Sequence, residues 1–124
     1  MKFEHRKNDE LTFRKVKDFA PADFLEKMTE SDRETETATH FSGENGLALM
    51  EIVDIPNGKA TLHSHDQEEI FYIVEGELIF GNRVCSAGDS INIKAGVQYT
   101  FRVGDKGCRY LKFTARQDPS FNIA

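Results

Sequence analysis

The sequence predicts an all-β domain of the sandwich or barrel type. Many short β-prone segments follow one another at short intervals, with glycine-containing turns between them, and almost no segment has helical periodicity. This pattern is typical of antiparallel sandwiches and barrels. With 124 residues, of which 39% are hydrophobic and 30% charged, the chain has the size and composition of one globular domain.

The one predicted helix lies near the N-terminus, at residues 21–28. Pro21 suits the first helical turn, and Asp23 favours the positive end of the helix dipole. Phe24 and Met28 lie on one apolar stripe. We therefore expect residues 1–34 to form an N-terminal extension that contains one short helix.

The predicted strands occupy residues 35–115, and a C-terminal tail follows at 116–124. Turn signals separate the strands: a loop at 42–46, the segment Pro56-Asn57-Gly58, and a two-residue hairpin turn at Gly81-Asn82. In chain order, the predicted strands are 35–41, 47–55, 59–65, 69–74, 78–80, 83–85, 90–93, 98–103 and 108–115.

Two histidines and a glutamate form a candidate metal site. In an extended strand alternate side chains share a face, so His63 and His65 project the same way. Glu69 keeps this parity across a short turn, and its carboxylate faces both imidazoles if the next strand pairs antiparallel. Such a donor set suits one divalent transition metal, Fe, Mn, Ni, Co or Zn, with positions open for substrate. The alternative is that both histidines are surface residues of a polar turn region.

The same segment resembles the first sequence motif of the cupins, G-x5-H-x-H-x3,4-E-x6-G. The two histidines, the glutamate and the final glycine, Gly76, match it, whereas Gly58 lies one residue too close to His63. The resemblance implies a double-stranded β-helix, or jelly-roll barrel, over residues 35–115. It also implies a metal inside the barrel and a homodimer.

The second cupin motif, G-x5-P-x-G-x2-H-x3-N, is only partly present. Gly88 and Gly96 match, but Lys94 replaces the usual proline, Tyr99 the last histidine ligand and Val103 the asparagine. Three roles for Tyr99 remain open: a metal ligand, an acid or base beside the metal, or a core aromatic residue. We expect the second, which makes Tyr99 the candidate catalytic residue.

Strand parity also predicts what lines the interior of the barrel. Phe71 and Ile73 share the face of Glu69, and Val97 and Phe101 share the face of Tyr99. The predicted pocket is apolar with aromatic walls, which favours a small organic molecule over a nucleotide. The alternative is that these four side chains fill the core of a small barrel.

The resemblance leaves the function open between three hypotheses. Cupins include dioxygenases, isomerases, decarboxylases and lyases, so it implies a metal-dependent enzyme without choosing the reaction. The alternatives are a non-catalytic module that binds or senses a small molecule or a metal, and a structural barrel that keeps the motif without a metal.

The charge and the hydropathy of the chain limit which partners and which cellular location we expect. A net charge of −5 without a basic stripe argues against nucleic acid. The longest apolar run, residues 70–74, is too short for a membrane span, and no secretory signal opens the sequence, so we expect a cytoplasmic protein. Ile70, Tyr72 and Val74 face outward in the predicted strand, which favours a homodimer.

Overall fold

The computed structural model describes residues 2–42, 47–115 and 120–124. Most of the loop predicted at 42–46 and the first part of the predicted tail lie outside these ranges. The two-residue turn predicted at Gly81-Asn82 joins two paired strands as expected.

The described residues form nine antiparallel strands and two short α-helices, which confirms the predicted all-β class. The helices are α1 (Ala22–Leu25) and α2 (Glu30–Glu34), and 3-10 turns lie at Asn8–Glu10 and Val16–Asp18. The strands are β1 (Arg14–Lys15), β2 (Glu36–Ser42), β3 (Ala48–Asp54), β4 (His63–Ser64), β5 (Glu69–Phe80), β6 (Arg83–Cys85), β7 (Ser90–Ile93), β8 (Arg102–Thr114) and β9 (Asn122–Ile123).

Seven strands form one sheet in the order β1-β2-β3-β8-β5-β6, with β7 also paired to β5. The short strands β4 and β9 form a separate ribbon. Residues of the sheet, of this ribbon and of the N-terminal segment all line one cavity of about 510 Å³. The inner face of the sheet and the ribbon therefore both contribute to one interior cavity.

The central pair β5–β8 is longer than the sequence predicts. The segments predicted as separate strands at 69–74 and 78–80 form one strand, and the register against β8 shifts on both sides of Gly76. Gly76 has φ +82°, and a Cβ atom there would lie 2.0 Å from the carbonyl oxygen of Gly107. The glycine therefore permits a bulge within a continuous strand rather than a turn between two strands.

The helical region also differs from the prediction. The helix expected at 21–28 is regular only over α1, and α2 was not predicted. The signal for α2 is Thr29, whose hydroxyl accepts a hydrogen bond from the backbone N–H of Asp32 and caps the helix. Neither helix has the length or the hydrophobicity that crossing a bilayer requires, as judged over the described ranges.

Side chains alternate along β5 as its parity predicts. Glu69, Phe71 and Ile73 are buried, at most 2% exposed. Ile70, Tyr72 and Val74 point to the other face and remain 44–45% exposed in the single chain. The inner face of β5 thus contributes to the core, whereas its outer face carries uncovered apolar surface.

Candidate metal centre

The fold brings the predicted site residues together. His63 belongs to β4, His65 follows it, and Glu69 is the first residue of β5. Tyr99 lies opposite His63 across a β-bridge, in which the backbone N–H of each residue donates to the carbonyl of the other at 3.1 and 2.8 Å. This bridge places the phenol ring beside the imidazole of His63, with ring centroids 4.4 Å apart.

Hydrogen bonds to the backbone fix the tautomers of both histidines. Nδ1 of His63 lies 2.6 Å from the carbonyl oxygen of Thr61, and Nδ1 of His65 lies 2.5 Å from that of Ser120. A carbonyl oxygen only accepts, so each Nδ1 must carry the hydrogen. In the neutral rings, the lone pair is therefore on Nε2, the nitrogen that remains for a metal.

The two Nε2 atoms face each other at 3.0 Å. With both rings neutral, two lone pairs meet at hydrogen-bond distance and no hydrogen lies between them. A proton or a cation between the nitrogens would relieve this contact. Burial lowers the pKa of His63 to about 4, an effect that the proximity of His65 reinforces. A proton on Nε2 of His63 is therefore unfavourable near neutral pH, and a metal cation is a suitable partner for this nitrogen.

Glu69 is the third predicted donor, and it is only 1% exposed. Its Oε1 accepts a hydrogen bond of 2.9 Å from the Tyr99 hydroxyl and lies 3.6 Å from Nε2 of His65. Its Oε2 lies 3.2 Å from Nζ of Lys112. Burial and the carboxylate of Glu69 raise the pKa of Tyr99 far above its usual value, so the phenol stays protonated and donates.

The residue types at this site suit a divalent metal, although not every donor atom is free to bind one. In the ranges that the structure describes, no three His, Cys, Asp or Glu side chains are arranged to hold an ion as they stand. The two imidazole nitrogens are available, whereas both carboxylate oxygens of Glu69 are engaged by Tyr99 and Lys112. The site therefore offers two ready donors and a third that must give up one partner.

The cavity beside this cluster is mainly apolar. Its walls include six aromatic side chains: Phe19, Phe24, Phe71, Phe101, Tyr110 and Phe121. A volume of about 510 Å³ lies within the usual range for small-molecule pockets. Lys112 is the only lysine or arginine among the described lining residues.

Two of the four predicted pocket residues lie elsewhere. Phe71 and Phe101 line the cavity as expected, but Ile73 is part of the core at 0% exposure. Val97 is 48% exposed, because it follows a turn at Gly96 in which its N–H donates to the carbonyl of Lys94. The alternation of an extended strand does not extend through such a turn, so the parity inferred from Tyr99 does not apply to Val97.

Three residues of the site region were not predicted. Lys112 shares the inward parity of Tyr110 on β8, and this alternation could have indicated it. Asp54 shares the inner face of β3 with Ile52 in the same way. Phe121 stacks on the ring of His63, with centroids 4.2 Å apart, yet it lies in the segment predicted as a tail, where no sequence signal indicates such a contact.

A family model described as a cupin domain matches residues 50–113, which contain the two histidines, Glu69, Tyr99 and Lys112. No curated protein sequence matches the chain at a significant level.

Solved structures share the fold at low sequence identity. The polyketide cyclase RemF from Streptomyces resistomycificus is 19% identical, with a TM-score of 0.74 over 99% of this chain and 86% of its own. A cupin-2 domain protein from Rhodospirillum rubrum is 16% identical, with a TM-score of 0.68 over 100% and 81%. The oxalate decarboxylase from Lactobacillus farciminis is 20% identical, with a TM-score of 0.62 over 72% and 31%.

Proposed function

This chain belongs to the cupin domain family, and we propose that it is a metal-dependent enzyme of that family acting on a small organic molecule inside the barrel. His63, His65 and Glu69 would hold one divalent transition metal, and Tyr99 would be the catalytic acid or base. The reaction class is of the dioxygenase, isomerase or lyase type.

The observation that supports this proposal most strongly is the contact between the two histidines. Both rings direct Nε2 at the same point, 3.0 Å apart, and both are held there by carbonyl groups on Nδ1. Such outer hydrogen bonds orient metal-binding histidines and raise their basicity. In a site without a cation, the same arrangement is repulsive.

A metal bound by these residues would supply Lewis acidity toward a substrate oxygen. Residues of the chain itself would supply the charge and the proton that the reaction needs. Lys112, which lines the cavity and pairs with Glu69, would offer a positive charge to a carboxylate or enolate oxygen of the substrate. Tyr99 donates a hydrogen bond of 2.9 Å to Oε1 of Glu69, and Phe71 and Phe121 form apolar walls of the adjoining cavity.

The substrate that fits is compact and mostly apolar. A single cationic side chain among the described lining residues is too few for a nucleotide or a multiply phosphorylated sugar, whereas six aromatic side chains suit a ring compound. The similar structures include a cyclase and a decarboxylase, so the shared fold does not choose the reaction.

We also propose that the protein is a homodimer. Ile70, Tyr72 and Val74 lie on the outer face of β5, and Phe113 of β8 pairs directly with Ile70. Each of these four side chains is 40–45% exposed in the single chain. An apolar surface of this kind, in the middle of a sheet rather than at its edge, is typical of an interface.

A non-catalytic binding module is the second candidate. The engagement of both Glu69 oxygens by Tyr99 and Lys112 favours it, because a barrel with only two free donors could hold a ligand without activating it. The two candidates differ in metal content. Elemental analysis of protein purified without a metal-affinity tag tests the proposed enzyme, which requires about one metal per chain.

A further inference from the structure

Residues 120–124, here called the C-terminal segment, contact both histidines of the candidate site. The carbonyl oxygen of Ser120 accepts the hydrogen bond from Nδ1 of His65 at 2.5 Å, across 55 residues of sequence. The ring of Phe121 stacks on His63, with centroids 4.2 Å apart and an angle of 20° between the planes. The same ring meets His65 edge-on at 5.8 Å. The segment therefore touches the two imidazoles that are proposed to bind the metal.

Backbone pairing and two side-chain hydrogen bonds attach this segment beside the site. β9 pairs antiparallel with β4, and Asn122 lies opposite Ser64. The backbone N–H of Asp66 donates to the hydroxyl of Ser120 at 2.8 Å, and Nδ2 of Asn122 donates to Oδ1 of Asp66 at 2.9 Å. These contacts lie on both sides of Phe121 in the sequence. Together they hold the carbonyl of Ser120 against His65.

The main fold is held together without this segment. β4 and β9 form a ribbon apart from the seven-stranded sheet, and the described core cluster contains no residue of the segment. The backbones of the histidines have other partners as well. His63 pairs with Tyr99, and the carbonyl of His65 accepts from the N–H of Gly96 at 2.8 Å. Releasing the segment should therefore free the ring of His65 while its backbone stays in place.

The two imidazole rings differ in where their anchors come from. Nδ1 of His63 donates to the carbonyl of Thr61, which lies only two residues earlier in the same stretch of chain. Nδ1 of His65 depends on Ser120, in the C-terminal segment. The segment therefore determines the tautomer of one histidine of the pair and not of the other.

A change of tautomer at His65 would close the site to a metal. Without the Ser120 carbonyl, the hydrogen of the neutral ring is free to move from Nδ1 to Nε2. The Nε2 atoms of His63 and His65 are 3.0 Å apart, so that hydrogen would be donated directly to the lone pair of His63. The two rings would then satisfy each other, and neither Nε2 would be open to a cation. The carbonyl of Ser120 opposes this arrangement.

We propose that the C-terminal segment is a positioning element of the site: the carbonyl of Ser120 keeps the hydrogen of His65 on Nδ1 and thereby keeps Nε2 open for a metal. That the bound species is a metal rests on the proposed function, whereas the control of the His65 tautomer does not. Hydrogen-bond partners of this kind typically change metal affinity 10- to 100-fold.

Asn122→Pro, made in the full-length protein, detaches the segment. It removes the amide that donates to Asp66, and proline cannot donate to the pairing of β9 with β4. Asn8→Pro is the matched control. Asn8 is an exposed residue that begins a 3-10 turn, and the preceding Lys7 already has the extended backbone that a residue before proline prefers.

Two measurements read out the effect. Nitrogen-15 NMR of the histidine side chains, on metal-free protein at neutral pH, shows which ring nitrogen carries the hydrogen. In the wild type and in Asn8→Pro, His63 and His65 should both carry it on Nδ1. In Asn122→Pro, His65 should carry it on Nε2 while His63 keeps it on Nδ1. The affinity for Zn(II), measured by competition with a chelator, should fall at least tenfold in this variant alone.

Several outcomes overturn the proposal. It is wrong if His65 of the wild type carries its hydrogen on Nε2, if Asn122→Pro leaves the His65 tautomer unchanged, or if the tautomer changes and the Zn(II) affinity does not. If Asn122→Pro fails to fold, Asn122→Ala removes the amide alone and should shift part of the His65 population to Nε2; no shift would overturn the proposal.

The two measurements also keep the proposed function separate. A tautomer shift at His65 in a protein whose wild type takes up no metal would support the positioning role of Ser120 while refuting the metal site. A wild type that binds metal, with an Asn122→Pro variant that keeps both the tautomer and the affinity, would support the metal site and refute the positioning role.

Discussion

The Nε2 atoms of His63 and His65 lie 3.0 Å apart, with the hydrogen of each ring committed to a backbone carbonyl on the opposite nitrogen. The relationship is set by two separate segments, since one carbonyl group belongs to Thr61, two residues before His63, and the other to Ser120 near the C-terminus. Two buried ring nitrogens held together in this way are stabilised by a cation that binds both. The proposed metal site follows from this contact, and the predictions below test the residues around it.

Tyr99→Phe should separate the roles open to this residue. The hydroxyl donates to Oε1 of Glu69, so its removal frees a carboxylate oxygen and should leave metal binding unchanged or tighter. The expected stability loss is about 1 kcal/mol, the scale of one hydrogen bond. Turnover should fall once a substrate is identified. Metal content, chemical denaturation and absorbance of the Fe(III)-loaded protein are the measurements.

The absorbance decides whether the phenol is a ligand. Direct ligation would give a phenolate-to-iron charge-transfer band in the ferric wild-type protein that disappears in Tyr99→Phe. We expect no such band in either form, because the phenol stays protonated on Glu69. A strong band that the substitution removes would contradict the acid–base role.

Lys112→Met should destabilise the protein. It leaves the carboxylate of Glu69, 1% exposed, without its only described cationic partner, at a cost of about 2–3 kcal/mol after allowing for the 17% exposure of the lysine side chain. Lys94→Met is the matched control, because Lys94 pairs with Glu68 on the surface and its loss should cost less than about 1 kcal/mol. Equal losses in the two variants would mean that the Lys112 ion pair is not structurally important.

Asp54 should make stability depend on pH. Burial raises the pKa of its carboxyl from 3.8 to about 6, so the folded state binds this proton more tightly than the unfolded state. The stabilisation by this proton is complete below pH 3.8 and is lost as pH rises through the folded pKa of about 6. The loss amounts to about 3 kcal/mol, at 1.36 kcal/mol per pKa unit.

Asp54→Asn removes this titration. The stability of the variant relative to the wild-type protein should therefore rise by about 3 kcal/mol between pH 3.5 and pH 7, as measured by urea denaturation at several pH values. Subtracting the wild-type curve cancels the titration of other groups. A difference that stays constant across this range would show that the folded and unfolded states share one pKa.

Tyr72→Glu should disrupt the proposed homodimer. Placing a charge in the centre of the apolar surface formed by Ile70, Tyr72, Val74 and Phe113 should weaken association at least tenfold, because an unpaired charge would be buried on dimerisation. Val97→Glu is the control, as Val97 is similarly exposed but lies in a turn outside β5 and β8. A wild-type mass of 14.1 kDa by light scattering at micromolar concentration would contradict the dimer.

The sequence was most informative where strand periodicity holds. Parity alone placed His63, His65 and Glu69 on one interior face, because all three lie in or directly beside extended segments. It failed at Val97, which follows a turn, and it did not find the cap at Thr29 that begins α2. Within regular strands, a period of two is sufficient to assign faces.

Residues brought in by tertiary structure were harder to predict. Lys112 could have been found from its parity with Tyr110, although an inward lysine contradicts the expectation that charges face water. Phe121 and Ser120 contact the two histidines only because β9 pairs with β4, and no local pattern indicates that pairing of a two-residue strand. The sequence therefore predicted the ligand residues of the candidate site but not the neighbouring residues that contact them.

The metal content of the purified protein tests the central claim most directly. Wild-type protein prepared without an affinity tag, stripped with chelator and reconstituted separately with Fe(II), Mn(II), Ni(II), Co(II) and Zn(II), should retain about one equivalent of at least one ion per chain after desalting. His63→Ala and His65→Ala should retain almost none, and His40→Ala, which alters a histidine paired with Glu51 outside the site, should behave like the wild type. Equal, near-zero metal in all four proteins after every reconstitution would contradict the account.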